Sequence, residues 1–175
     1  MIVISHHVKK IGMPYPQGVV VRVNTAWIES VEELDSVLKD IKDRKVFLDY
    51  PTGRTKPPVP KFSLDEVAEF THKYNIDYFA FSNAQEPSEV EIIRKKVMPR
   101  TKLVPKIETK LGVHNLRLII DAAQTDVIML DKEDLYTDVH GNQEQFNNFV
   151  ERCRVECKKL GVTCLELKGV VFGHE

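Results

Sequence analysis

Seven short β-branched or aromatic runs recur along the chain: "IVIS" (2–5), "VVVRVN" (19–24), "KVFLDY" (45–50), "DYFAFS" (77–82), "KLVPKI" (102–107), "DVIMLD" (126–131) and "VTCLEL" (162–167). Each has the composition and length of a strand. Helical period fills the intervals, with Val31, Leu34, Leu38 and Ile41 on one face, then Val67, Phe70 and Tyr74, then Val90, Ile93 and Val97. Leu116, Ile119 and Ile120 continue the pattern, as do Phe146, Phe149, Val150 and Cys153. Start and stop signals agree. "SLDE" (63–66) reads as a capping box, Pro87 and Ser88 open a helix, and Gly161 stands just past the last one.

Strands that are apolar on both faces and separated by helices pair in parallel through right-handed crossovers, either in an open doubly wound sheet or in a (β/α) barrel. The polar residues decide between them. Arg22 and Asn24, Asp49, Ser82, Lys106 and Glu108, and the stretch from Asp131 to Asp134 all fall at the C-terminal ends of their strands. A ring of polar strand ends is how a barrel builds a site. The expected fold is therefore α/β, a TIM-type (β/α) barrel in one domain over residues 1–175. An eighth strand fits "GVVFG" (169–173) with almost nothing after it, so the barrel is expected to be short or incomplete. The stiff, proline-rich "PTGRTKPPVPK" (51–61) is read as a rim loop.

With 25 basic and 26 acidic side chains, the chain has no basic excess of the kind that binds nucleic acid; "RKK" (94–96) reads as a solvated helix face. No apolar run has the length of a membrane span, and in "MIVISHHVKK" the charges follow the apolar residues, the reverse of a secretory signal. A cytoplasmic protein is expected, with neither nucleic-acid nor membrane partners. Cys153, Cys157 and Cys164 are an odd set near the C-terminus, read as reduced thiols, with Cys153 and Cys157 as buried core residues rather than metal ligands.

Glu108 and Asp134, separated by one βα unit, would converge on the barrel mouth and offer the oxygen ligands that Mg²⁺ or Mn²⁺ prefers. Lys106 precedes Glu108 by two residues and so points into the same interior. Beside a metal, it would stabilise developing enolate or phosphoryl charge. The competing account is a buried salt-bridge cluster. Three further readings concern the rim. His6 and His7 are read as strand neighbours facing opposite ways, with a rim or surface role; "HGN" (140–142) as a turn; and Trp27 as a packed core indole.

The motifs "RVN" (22–24), "LDYPTGRT" (48–55), "DYFAFSNAQEPSEVEIIR" (77–94), "PKIETKLGVHN" (105–115) and "DVIMLDKEDL" (126–135) stand in the order found in the catalytic barrel of pyruvate kinase, which the chain resembles over most of residues 19–135. Its most specific part is K-I-E followed by G-V-x-N. That resemblance implies a phosphoenolpyruvate- or 2-oxo-acid-handling enzyme with Glu108 and Asp134 as divalent-metal ligands. Lys106 would assist phosphoryl transfer and enolate formation, and Arg22 would hold the phosphoryl group. Asn24 and Asp49 match monovalent-cation (K⁺) ligands, Arg54 matches an arginine on the ADP/ATP side, and Thr109 falls beside the substrate. The chain departs from that family at Ala26, Trp27 and Tyr50. The lid domain is expected to be missing, since "KPPVPK" stands where it is inserted, and no regulatory C-terminal domain is expected.

"IETKLGVHN" followed by "EDLYTD" also resembles the citrate lyase beta subunit and related metal-dependent aldolases. That likeness implies a C–C lyase. A third expectation is a degenerate, non-catalytic barrel that binds a metabolite or a protein. A barrel left open near its eighth strand exposes a strand edge, which a second copy of the chain is expected to cover as a homo-oligomer.

Overall fold

A computed structural model describes residues 1, 3–53 and 57–166, with the side chains of 9–11 excepted. The strands are β1 (Val3–Ser5), β2 (Val20–Asn24), β3 (Lys45–Tyr50), β4 (Tyr78–Phe81), β5 (Lys102–Ile107), β6 (Val127–Leu130) and β7 (Thr163–Glu166). All neighbours pair in parallel and in chain order. The result is a curled half-barrel of TIM type, with no β1–β7 pairing among the described residues. Each of the seven runs read as a strand contains one, trimmed at a described residue in four of them. The suggested strand at 169–173 lies outside the described residues.

Helices α1 (Val31–Asp40), α2 (Leu64–Lys73) and α3 (Pro87–Lys96) make the three crossovers from β2 to β5. The pairs α4 (Lys110–His114) with α5 (Leu116–Ala123), and α6 (Lys132–Asp138) with α7 (Gln143–Leu160), make the last two. Their ends are chemically specified. Ser63 and Glu66 form the expected reciprocal capping box, Pro87 opens α3, and Gly161 closes α7 at φ 68°, in the left-handed region that glycine tolerates. The "HGN" turn separates α6 from α7 and carries positive φ at His140 and Gly141.

Two apolar layers follow from strand alternation. Val21, Val23, Leu48, Phe79, Phe81, Leu103, Ile107, Ile128 and Leu130 pack outward against the helices. Val20, Phe47, Ala80, Val104, Val127 and Met129 fill the concave side, with Val3, Tyr78 and Leu165 against them. Helical faces follow the periodic reading except at Val31, which is exposed at the first turn of α1.

Two rim readings are corrected. Residues 6–11 form a 3-10 turn rather than a strand, so His6 and His7 do not face opposite ways; their rings lie 4.1 Å apart. His6 is buried, with Nδ1 3.3 Å from the Arg22 carbonyl oxygen. Trp27 ends a second 3-10 turn (Thr25–Trp27) and is 53% exposed, edge-on to His7, rather than packed in the core.

Candidate active site

The concave face that carries Val20, Phe47, Ala80, Val104 and Met129 carries Arg22, Asp49, Ser82, Lys106 and Asp131 two residues further on. Period-two alternation thus sets a polar tier directly above an apolar floor, at the C-terminal ends of the strands. The tier opens into a cavity of about 560 Å³, whose lining has five acidic side chains (Glu108, Asp131, Glu133, Asp134, Asp138) against two cationic ones, Arg22 and Lys106. Such an excess favours a cation as an occupant.

Lys106 is 7% exposed. Its ammonium donates to Ser82 Oγ at 3.0 Å and lies 2.8 Å from Glu108 Oε1 and 3.9 Å from Asp131 Oδ2. Burial opposes its charge, but Asp49, Glu108 and Asp131 together hold it above the usual lysine range. It is an ammonium at neutral pH.

Glu108 is 3% exposed, and its Oε2 accepts the backbone N–H of Asn83 at 2.8 Å. Burial pushes its carboxyl above the usual glutamate range, against the opposing pull of Lys106 and the Asn83 N–H. Oε1 is buried and pairs with the Lys106 ammonium at 2.8 Å.

Carboxylate oxygens of Glu108, Asp131 and Asp134 all lie within 4.8 Å of one another. The chain brings Glu108 and Asp134 together, though not as two strand ends. Asp134 sits in the first turn of α6, and it is Asp131 that follows β6. Asp131 also caps α6, its Oδ1 accepting Asp134 N–H at 3.4 Å. Three carboxylates converging on an acidic cavity suit a hard divalent ion such as Mg²⁺ or Mn²⁺, whose charge would offset the desolvation of Glu108.

Arg22 lies across the sheet. Its Nε donates to Asp49 Oδ2 at 2.8 Å, and a second guanidinium N–H donates to the same oxygen. Asp49 is 1% exposed, with Oδ2 held by Arg22 and Oδ1 buried without a hydrogen bond among the described residues, and it does not line the cavity. Asn24 and Thr109 do line it, but both side chains cap helical turns, Asn24 accepting Ala26 N–H at 3.0 Å and Thr109 accepting Gly112 N–H at 3.1 Å. Arg54 lies outside the described residues.

The G-V-x-N motif has a structural reading. A Cβ added at Gly112 would stand 2.7 Å from the Ala84 carbonyl oxygen, and Asn115 donates to the Gln85 carbonyl at 2.9 Å. Both hold the loop after β4, in which Asn83 takes φ 55° and delivers its N–H to Glu108. Gly112→Ala is expected to destabilise the protein by about 1–3 kcal/mol through overpacking, despite alanine's better helix propensity. A lowered urea midpoint checks this.

No protein-family profile matches the chain, and no curated protein sequence matches it. Solved structures do. Citrate synthase SbnG aligns at TM-score 0.67 with 12% identity, over 85% of this chain and 68% of that one. The citrate lyase beta subunit of M. tuberculosis, complexed with oxaloacetate and magnesium, aligns at 0.65 with 12% identity, over 94% and 76%. An HpcH/Hpal aldolase/citrate lyase family protein from Burkholderia cenocepacia aligns at 0.66 with 9% identity, over 86% and 71%. At such identities these likenesses establish the fold, a TIM-type architecture shared with the lyase side of the two resemblances. None of the three is a pyruvate kinase, so that finer resemblance gains no support from them.

Proposed function

We propose that the chain is a Mg²⁺-dependent enzyme that binds a 2-oxo acid and makes or breaks a C–C bond next to its carbonyl, as a citrate lyase beta-like lyase or aldolase. The observation that carries this reading is the Glu108–Asp131–Asp134 cluster with Lys106 beside it, at the mouth of a lyase-like barrel. Glu108, Asp131 and Asp134 would hold the ion. When bound, Mg²⁺ supplies a Lewis acid for the 2-oxo oxygen.

The other side chains have separate tasks. Lys106, fixed by Ser82 and Glu108, presents a positive charge to the negative charge that develops on a 2-oxo acid as the bond breaks. Arg22, oriented by buried Asp49, faces the same cavity and would pair with the substrate carboxylate. Phosphoryl transfer is the weaker reading. The three solved structures described above carry citrate synthase, citrate lyase and aldolase names rather than a kinase one.

Isothermal titration separates the two readings. Mg²⁺-dependent heat with oxaloacetate or pyruvate, and none with ADP, supports the lyase reading. Heat with ADP would restore the kinase-like one, and no heat with any of them would leave a non-catalytic barrel.

A further inference from the structure

On the other side of the sheet, in the helix-facing layer, Cys153, Cys157 and Cys164 bring their sulfurs within 4.8 Å of one another. Cys153 and Cys157 are fully buried and Cys164 is half-buried. An α-helix stacks positions four apart, so the first two need only packing to explain them. The third arrives from another element. Sequence alone gave the pair no partner, yet the turn at Gly161 reverses the chain and sets β7 back against α7, with Val162 N–H donating to the Cys157 carbonyl at 2.9 Å.

The approach is fixed from both ends. Leu165 packs on the concave side, so Cys164 and Glu166 face outward toward α7. Glu166 accepts two N–H groups of Arg154 at 2.7 Å each and pairs with Lys132 at 3.1 Å, tying β7 to α7 and α6. A twelve-residue helix–turn–strand unit (153–164) thus supplies three sulfurs to one point.

We propose that these three cysteines form a second, sulfur-ligated site for one soft d¹⁰ cation such as Zn²⁺, distinct from the oxygen-lined cavity. Zn–S bonds of about 2.3 Å place the sulfurs of a tetrahedral site about 3.8 Å apart, so no separation here has to close by more than about 1 Å. No histidine or carboxylate joins the group among the described residues. Thiolates select soft ions where the carboxylates of the cavity select hard ones. The bound ion would clasp β7 to α7.

Cadmium tests this. The reduced full chain is titrated with Cd²⁺ in excess Mg²⁺, following the ultraviolet thiolate-to-metal charge-transfer band. The band is expected to saturate at one equivalent, to persist in Glu108→Gln, and to weaken in Cys164→Ser, with affinity falling more than about tenfold. Intact-mass alkylation of the parent with N-ethylmaleimide gives a readout that needs no variant, with Cd²⁺ expected to protect all three thiols together. An absent band, a band that Cys164→Ser leaves unchanged, or alkylation of any of the three thiols in the Cd²⁺-loaded parent would overturn the proposal.

Discussion

Glu108→Gln is expected to lower Mg²⁺ affinity by more than about 100-fold, since outer-shell partners alone cost about 10–100-fold and Glu108 is placed in direct contact with the ion. Its position explains the size of the effect. Glu108 is buried, and Asp131 and Asp134 converge on the same space. Glutamine keeps the shape and can still accept the Asn83 N–H, and Lys106 retains Ser82 and Asp131, so the fold should survive. Calorimetric titration of Mg²⁺ into parent and variant, with melting curves alongside, checks both halves of the expectation.

Lys106→Met is expected to have the largest effect on stability. Removing one partner of a buried ion pair leaves the other uncompensated, at a cost of about 3–5 kcal/mol near neutral pH. Here the stranded group is Glu108, whose carboxyl burial already pushes upward; losing Lys106 pushes it further. A carboxyl raised in the folded state is no burden while it is protonated in both states, below the usual glutamate value of about 4.3. The deficit therefore grows as pH rises through the folded-state value, and it is smallest in acid. Urea midpoints across that range should show parent and variant drawing apart as pH increases.

Much of the site was legible because strand alternation is so regular. Once Arg22, Asp49, Ser82 and Lys106 are placed at strand ends, period two sends them all to the concave side, and the order of the strands follows the order of the sequence. Asp131 was harder to separate from its neighbours. An aspartate between a strand and a helix reads first as a cap, and it does cap α6 while also joining Glu108 and Asp134. Asn83 contributes a backbone N–H from a left-handed conformation, and nothing in its side-chain identity signals that contact.

The pairing of Arg22 with Asp49 shows a different limit. Both residues were assigned to ligands, yet adjacent strands put them side by side, Arg22 opposite Phe47 and Asn24 opposite Asp49, and a buried carboxylate takes the nearest guanidinium. Cys164 follows the same logic. The signal was a glycine at 161 between two cysteine positions on either side of a tight reversal, but sulfur proximity depends on which face of β7 turns outward.

The central claim is that the carboxylates of Glu108, Asp131 and Asp134 share one divalent ion. A crystal of the protein soaked in MnCl₂ and measured for anomalous scattering tests it most directly. The claim predicts a single manganese peak between those three side chains, within coordinating distance of Glu108 Oε1. A cavity without such a peak, or manganese bound only elsewhere on the surface, would contradict it.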